Sequence, residues 1–199
     1  MALLVISCSL NPDSRSRVLA RTAFLGIERL GVDADFVDLR EYPMPLCDAG
    51  AAYRDPNAQK LSQTIAASDG VLVACPIYNY TVSSSLKNLI ELTGESWRDK
   101  VVAIVCAAGG SASYMAHMGI ANSLMLDYRC VIVPRFVHSD ERDVTPDRIV
   151  SSEVQRRLDE VVALFMRMTL PLNPLPDRVE PSALPGAPLT PPATFSDPG

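Results

Sequence analysis

Two tyrosines and an asparagine, Tyr78, Asn79 and Tyr80, form the triplet in this chain whose residue types most directly suggest ligand chemistry. They follow the apolar run 71–75 and precede a segment with leucines at helical spacing, so they are predicted to lie between a buried strand and a helix. Loops at the carboxyl ends of strands are where open α/β sheets bind ligands. Tyrosine rings offer flat apolar faces and an asparagine offers in-plane hydrogen bonds. The triplet therefore favours a planar heteroaromatic ligand over simple core packing.

A serine-rich loop, residues 7–16, follows the first apolar run of the chain and leads into a helical pattern. Hydroxyl groups beside the free N–H groups of a helix start are suited to a phosphate group. The loop has neither a Gly-x-Gly-x-x-Gly fingerprint nor a Walker lysine. Taken alone, it fits an ordinary helix N-cap by Ser14 or Ser16 better, and its position after the first strand favours phosphate. The predicted phosphate-binding residues are Ser9, Asn11, Ser14, Ser16 and Arg17.

A third loop, residues 107–113, contains two adjacent glycines and is called the glycine loop below. Glycines let the backbone pass close to the edge of a flat ligand and point N–H groups at it, although a plain tight turn fits the sequence equally well. The two histidines, His117 and His138, have no carboxylate or cysteine at ligand spacing, so we expect no metal site. Cys8 and Cys75 stand at strand ends where a nucleophile could lie, but no partner base is evident.

The elements that must position these loops alternate along the chain as strand and helix. This order predicts right-handed crossovers and a five-stranded parallel sheet in a flavodoxin-like three-layer α/β sandwich, with strand order 2-1-3-4-5 and a ligand crevice between strands one and three. The predicted strands are 3–6, 34–38, 71–75, 100–106 and 130–134. The predicted helices are 18–27, 57–68, 84–92, 115–126 and 152–168, with an extended loop over 42–55.

Composition sets limits on the kind of protein. The 199 residues, 48% of them hydrophobic, suit one domain over residues 1–170, followed by a tail over 171–199 that holds more than half of the 16 prolines and is expected to be extended or disordered. The net charge of −5 argues against nucleic-acid binding, and no apolar run is long enough to cross a bilayer. The N-terminus lacks the features of a signal peptide, and five scattered cysteines suggest a reducing compartment, so we expect a cytoplasmic protein.

Together, the three loops resemble those of the NAD(P)H-dependent FMN reductases, a flavodoxin-like family that includes quinone, azo-compound and chromate reductases. Residues 8–17 match the family's Gly-Ser-x-Arg-x-x-Ser phosphate loop, with Asn11 in place of its arginine, and residues 76–88 match its Pro-x-Tyr-Asn pattern, with Ile77 where many members carry glutamate. The resemblance implies phosphate ligands at the five residues named above. It implies flavin-ring contacts at Pro76, Ile77, Tyr78, Asn79, Tyr80, Ala108, Gly109, Gly110 and Ser111.

The activity implied by this resemblance is an FMN-dependent NAD(P)H:acceptor oxidoreductase, which passes hydride through flavin N5 to a flavin, quinone or similar small acceptor. No side chain is expected to act as acid, base or nucleophile. Family members are commonly dimers or tetramers, so a homodimer or homotetramer is expected, with no nucleic acid or membrane partner. Two alternatives stay open: a flavodoxin-like electron carrier that binds FMN without NAD(P)H turnover, and an interaction module that keeps the fold without flavin.

Overall fold

Five parallel strands form the centre of the protein in a computed structural model that describes residues 2–169. They are β1 (Leu3–Ser7), β2 (Ala34–Asp38), β3 (Gly70–Tyr78), β5 (Val101–Ala107) and β6 (Val131–Ser139), and a two-residue strand, β4 (Thr81–Val82), pairs antiparallel with the end of β3. The sheet order is β2-β1-β3-β5-β6. Without the short β4, this is the predicted order 2-1-3-4-5, and the flavodoxin-like fold is confirmed.

Helices cover both faces of this sheet: α1 (Arg15–Arg29), α2 (Pro56–Ala67), α3 (Ser84–Thr93), α4 (Met118–Tyr128) and α5 (Ser152–Thr169). α1 and α5 pack on one face, where they share a hydrophobic cluster with Leu3 and Val5 of β1. α2, α3 and α4 pack on the other face against Leu4 and Ile6. Both faces of β1 are therefore buried, which explains its unbroken apolar sequence.

Four elements differ from the sequence prediction, and the first is α1, which begins at Arg15 rather than at Val18. β3 does not end at Cys75 but continues through Pro76 and Ile77 to Tyr78. The fifth large strand runs to Ser139 rather than to Pro134. Pro134 lies where β6 bulges between its paired residues Ile132 and Phe136, so its missing N–H removes no ladder bond and the strand continues. α4 begins at Met118 rather than near Met115.

The later start of α4 has a local cause. The glycine loop leads into a 3-10 turn over Ser111–Ser113, and the following amides, of Ala116 and Met118, bond to carbonyls three residues back. This small-residue stretch therefore winds as tight turns before the α-helix begins. The extended loop predicted over 42–55 likewise contains a short 3-10 turn near its end, over Ala51–Arg54, and another 3-10 turn, Leu39–Glu41, directly precedes it.

The predicted proline-rich tail, 171–199, lies outside the described residues, so its conformation and the boundary at 170 stay predictions. Within residues 2–169, none of the helices has the length and apolar character required to cross a membrane.

Candidate flavin-binding site

The main cleft of the protein opens at the carboxyl ends of β1, β3 and β5, where the three predicted loops meet. Its volume is about 570 Å³. Ten of the fourteen predicted site residues line it: Ser9, Asn11, Ser14, Ser16, Pro76, Ile77, Tyr78, Asn79, Ala108 and Gly109. The crevice is thus at the predicted place, between β1 and β3.

Four predicted residues do not line this cleft: Arg17, Tyr80, Gly110 and Ser111. Three residues that the sequence analysis did not assign do line it, namely Asp13, Arg15 and Ala107. For Arg15 a sequence signal existed, because it directly follows the serine that was recognised as a helix N-cap. The N-terminal turn of a helix that ends a phosphate loop faces the ligand.

The serine-rich loop is held by its own side chains. Ser14 is the N-cap of α1, and its Oγ accepts a hydrogen bond from Arg17 N at 3.2 Å, so the helix-capping interpretation is correct. Ser14 Oγ also lies 2.9 Å from Ser16 Oγ, and Ser9 Oγ accepts from Asn11 N at 3.2 Å. All three serines are buried.

Counting protons on these serines shows an excess of donors. A hydroxyl has one proton to donate. The Ser14–Ser16 pair shares one of its two protons, and Ser9 accepts a bond without donating one, so two buried hydroxyl protons find no acceptor within residues 2–169. Buried donors normally have partners. A phosphate group, which is rich in acceptor oxygens, would satisfy both, so the loop fits the phosphate end of FMN.

Arg17 has another partner. Its Nε lies 2.8 Å from Asp38 Oδ2, at the end of β2, and Arg40 Nη2 lies 2.7 Å from the same oxygen. Burial alone would raise the pKa of the Asp38 carboxyl, but hydrogen bonds from Arg40 and the charges of both arginines outweigh it and lower the pKa. The guanidinium of Arg17 is therefore engaged with a carboxylate beside the loop instead of facing the cleft.

The aromatic triplet forms a tight hairpin rather than an open loop. Tyr78 pairs with Thr81, and the two residues between them, Asn79 and Tyr80, have φ values of 50° and 63°. Two successive left-handed residues define the hairpin turn whose twist matches that of its strands. The turn presents Tyr78 at the cleft with its side chain half exposed, while Pro76 and Ile77 form a buried floor.

The glycine loop closes the third side of the cleft. Ala108 N donates to Ser139 O at 2.8 Å, which anchors the start of the loop to the edge strand. The next two amides, of Gly109 and Gly110, donate to no acceptor within residues 2–169. Gly109 lines the cleft, so its N–H is available to a ligand edge.

Asn88, on α3, has a structural role near the site. Its side chain accepts from Cys47 N at 2.8 Å and donates to Pro45 O at 2.9 Å. α3 thereby holds the 43–47 segment in place. Lys87, its neighbour, is exposed and pairs with Glu91, as expected for a helix surface residue.

The cysteines offer no nucleophile to this cleft. Cys8, Cys75 and Cys106 are completely buried, and Cys75 Sγ lies 3.7 Å from Cys106 Sγ. Burial, followed by the nearby Cys75 and Asp38, raises the pKa of Cys8, while a hydrogen bond with Cys75 and burial raise that of Cys106. Thiols in this state are poorly reactive, because the thiolate is the nucleophile.

The histidines pack beside the glycine loop. His117 is buried with its ring 3.6 Å from that of Phe136, and His138 Nε2 lies 3.4 Å from Ser113 Oγ. Burial lowers the pKa of both histidines. No cluster of three or more potential metal ligands occurs in the part of the chain that the structure describes.

A parallel sheet in this order, with a donor-rich loop after β1 and an aromatic hairpin after β3, defines a flavodoxin-like nucleotide-binding protein. Sequence comparison makes the assignment specific: the model of the family described as NADPH-dependent FMN reductase matches residues 1–142. The chain belongs to this family, which uses FMN and NADPH, and the resemblance inferred from its loops is confirmed.

Curated relatives agree with this assignment. The chain is 30% identical over 115 residues to an FMN reductase (NADPH) of Pseudomonas putida, a match that covers 57% of the chain and 58% of that relative. It is 24% identical over 168 residues to an NAD(P)H-dependent FAD/FMN reductase of Geobacillus thermodenitrificans, covering 81% and 89%. An NADPH:quinone oxidoreductase of Arabidopsis thaliana matches at 25% over 158 residues, covering 72% and 78%.

Solved structures show the same fold. FerB, a flavoenzyme NAD(P)H:(acceptor) oxidoreductase from Paracoccus denitrificans, superposes with a TM-score of 0.69 at 20% identity, covering 84% of this chain and 96% of FerB. The apo form of an NADH:FMN oxidoreductase superposes with a TM-score of 0.68 at 18% identity and covers 92% of both chains.

Proposed function

We propose that this protein is an FMN-dependent NAD(P)H oxidoreductase that passes reducing equivalents to a small acceptor such as a free flavin or a quinone. One observation carries the proposal: a single cleft has buried hydroxyl donors at one end and a tyrosine–asparagine hairpin at the other. A phosphate and a planar ring need these two environments. The names of the relatives, FMN reductase and quinone oxidoreductase, support the same acceptor classes.

In this proposal FMN supplies the hydride chemistry when it is bound, and the chain supplies binding and orientation. The serine hydroxyls would donate to the phosphate, Tyr78 would give the ring a flat apolar surface and Asn79 would hydrogen-bond to it. The free N–H of Gly109 would also be available to the ring and would favour negative charge on it. We assign no acid, base or nucleophile, since the cysteines near the cleft are buried and unreactive.

Spectroscopy and turnover test this function directly. The purified protein should take up FMN with the visible absorbance of a bound flavin, and the loaded protein should oxidise NADPH or NADH with a quinone or ferricyanide. FMN binding without oxidation of either nicotinamide would favour the electron carrier instead. Absence of FMN binding would contradict both flavin functions and leave the flavin-free module.

The surface of α4 supports a homodimer or homotetramer. α4 carries one charged residue, Asp127, and exposes Met118, Met125 and Leu126, and the adjoining Met115 and Val131 are exposed as well. Exposed apolar side chains grouped on one helix often mark interfaces, and a face of this kind can pair with its own copy about a two-fold axis. Light scattering after gel filtration should show an oligomer that Leu126→Glu weakens. A monomeric parent protein would contradict the proposal.

The five cysteines are all free, as in proteins from reducing compartments. We propose that the enzyme works in the cytoplasm, and localisation of a fluorescent fusion tests this.

A further inference from the structure

We propose that Arg15 is the cation that holds the FMN phosphate in this protein and that it determines the preference for FMN over riboflavin. This inference rests on the proposed flavin function. It assigns to Arg15 the part that an arginine at position 11 would otherwise play in the phosphate loop, where this chain has Asn11.

The first observation is the position and the state of the Arg15 side chain. Arg15 is the first residue of α1, it lines the cleft and it is half-buried. It makes no hydrogen bond or ion pair within residues 2–169. Arg17, two residues later, is paired with Asp38. Of the two arginines in this turn, Arg15 is the one without an ion-pair partner among residues 2–169.

The second observation is the charge of the cleft lining. Among residues 2–169, Arg15 is its only cationic residue and Asp13 is its only anionic one. Asn11 is neutral, and its Oδ1 already accepts a hydrogen bond from Asp13 N at 3.0 Å. A phosphate monoester dianion in this cleft therefore meets one unfavourable charge and one favourable charge. Without Arg15, the only charge left in the lining would repel it.

The chemistry of the guanidinium suits this part. Its planar donors match two phosphate oxygens at once, and such charge-assisted pairs are stronger than neutral hydrogen bonds. The buried serine hydroxyls satisfy the remaining oxygens, and the start of α1 adds a favourable dipole. Riboflavin has no phosphate and gains nothing from any of these groups, so Arg15 contributes to the binding of FMN alone.

Flavin titrations of three charge variants test the inference. FMN and riboflavin dissociation constants are measured by flavin fluorescence quenching at low and high salt. Arg15→Gln should weaken FMN binding by about ten- to a hundredfold and leave riboflavin unchanged. Asp13→Asn should tighten FMN binding by a few fold. Asn11→Arg, added to Arg15→Gln, should restore FMN affinity, because position 11 lines the same cleft.

Arg29→Gln is the matched control, since it removes the same charge from the exposed far end of the same helix. Equal losses for FMN and riboflavin in Arg15→Gln would assign Arg15 a structural part and overturn the inference, as would FMN affinity that does not change. A melting temperature measured without flavin identifies a folding defect, and the Asp13→Asn variant then decides by its opposite sign. Failure of the parent protein to bind either flavin would instead overturn the proposed function, and this inference with it.

Discussion

Tyr80 occupies a backbone conformation that its side chain disfavours, and replacing it should stabilise the protein. Its φ of 63° lies in the left-handed region, where an L-residue costs about 1–2 kcal/mol. Tyr80→Gly removes that cost and places an asparagine–glycine pair at the centre of the turn, the pair that this hairpin type favours. Glycine loses about 0.5–1 kcal/mol more backbone entropy on folding. Since the Tyr80 side chain is 58% exposed, little packing is lost.

The net expectation for Tyr80→Gly is a gain of about 0.5–1 kcal/mol in the free energy of unfolding, which corresponds to a rise in Tm of roughly 1–4 °C for a chain of this size. Tyr80→Ala is the matched control, because it removes the same ring and keeps the strained backbone. Urea denaturation of the flavin-free protein measures both variants. A glycine variant no more stable than the alanine variant would refute the reasoning.

The same two variants also report on flavin binding. Tyr80 does not line the cleft, whereas Tyr78 does. We therefore expect Tyr80→Ala to weaken FMN binding less than Tyr78→Ala, for which lost aromatic packing suggests about 1–3 kcal/mol. An equal loss in a flavin titration would show that Tyr80 reaches the ring.

Three further results are expected. Gly70→Ala should destabilise the protein by about 1–3 kcal/mol, because the new Cβ would lie 2.6 Å from Thr169 Oγ1. Gly26→Ala is the control: its Cβ would meet open space on α1, so the variant should be neutral or more stable. Urea unfolding compares the two variants. Asp38→Asn should lower the free energy of unfolding at neutral pH, because folding lowers the pKa of the Asp38 carboxyl and the charged form stabilises the protein. In acid unfolding, the difference in this free energy between parent and variant should shrink as the pH falls below 3.8, because the parent carboxyl then becomes protonated. A thiol reagent should label the native protein once, at half-buried Cys47, and mass spectrometry of peptides should find the four buried cysteines unmodified.

Sequence periodicity was enough to predict the sheet order and the meeting of the three loops, because buried parallel strands are nearly uninterrupted apolar runs. It failed at the ends of two strands, which it placed at Cys75 and Pro134 because the apolar runs end there. β3 nevertheless continues as a hairpin arm, and β6 continues because Pro134 lies in a bulge of its pairing with β5. Such exceptions depend on how a strand pairs in the folded protein, and the local sequence does not contain that information.

The sequence could predict a site residue's role where that role depends on its neighbours along the chain. Ser14 caps the helix that directly follows it, and its sequence context shows this. Arg17 was assigned to the phosphate, but the structure pairs it with Asp38, on a strand more than twenty residues away. Asn88, too, is engaged by a distant loop segment. Long-range partners of this kind leave no local pattern.

Ser14, the N-cap of α1, limits which substitutions the serine-rich loop can accept. Ser14 Oγ both caps the helix and lies in the cleft, so a substitution there affects folding and ligand together. Neither Asn11 nor Arg15 caps α1, although Asn11 Oδ1 accepts a hydrogen bond from Asp13 N. If Arg15 holds the phosphate as proposed, the position of the cation in this loop can vary while the serine hydroxyls stay in place. Within the family, a missing arginine at one place is weak grounds for denying a chain its cofactor.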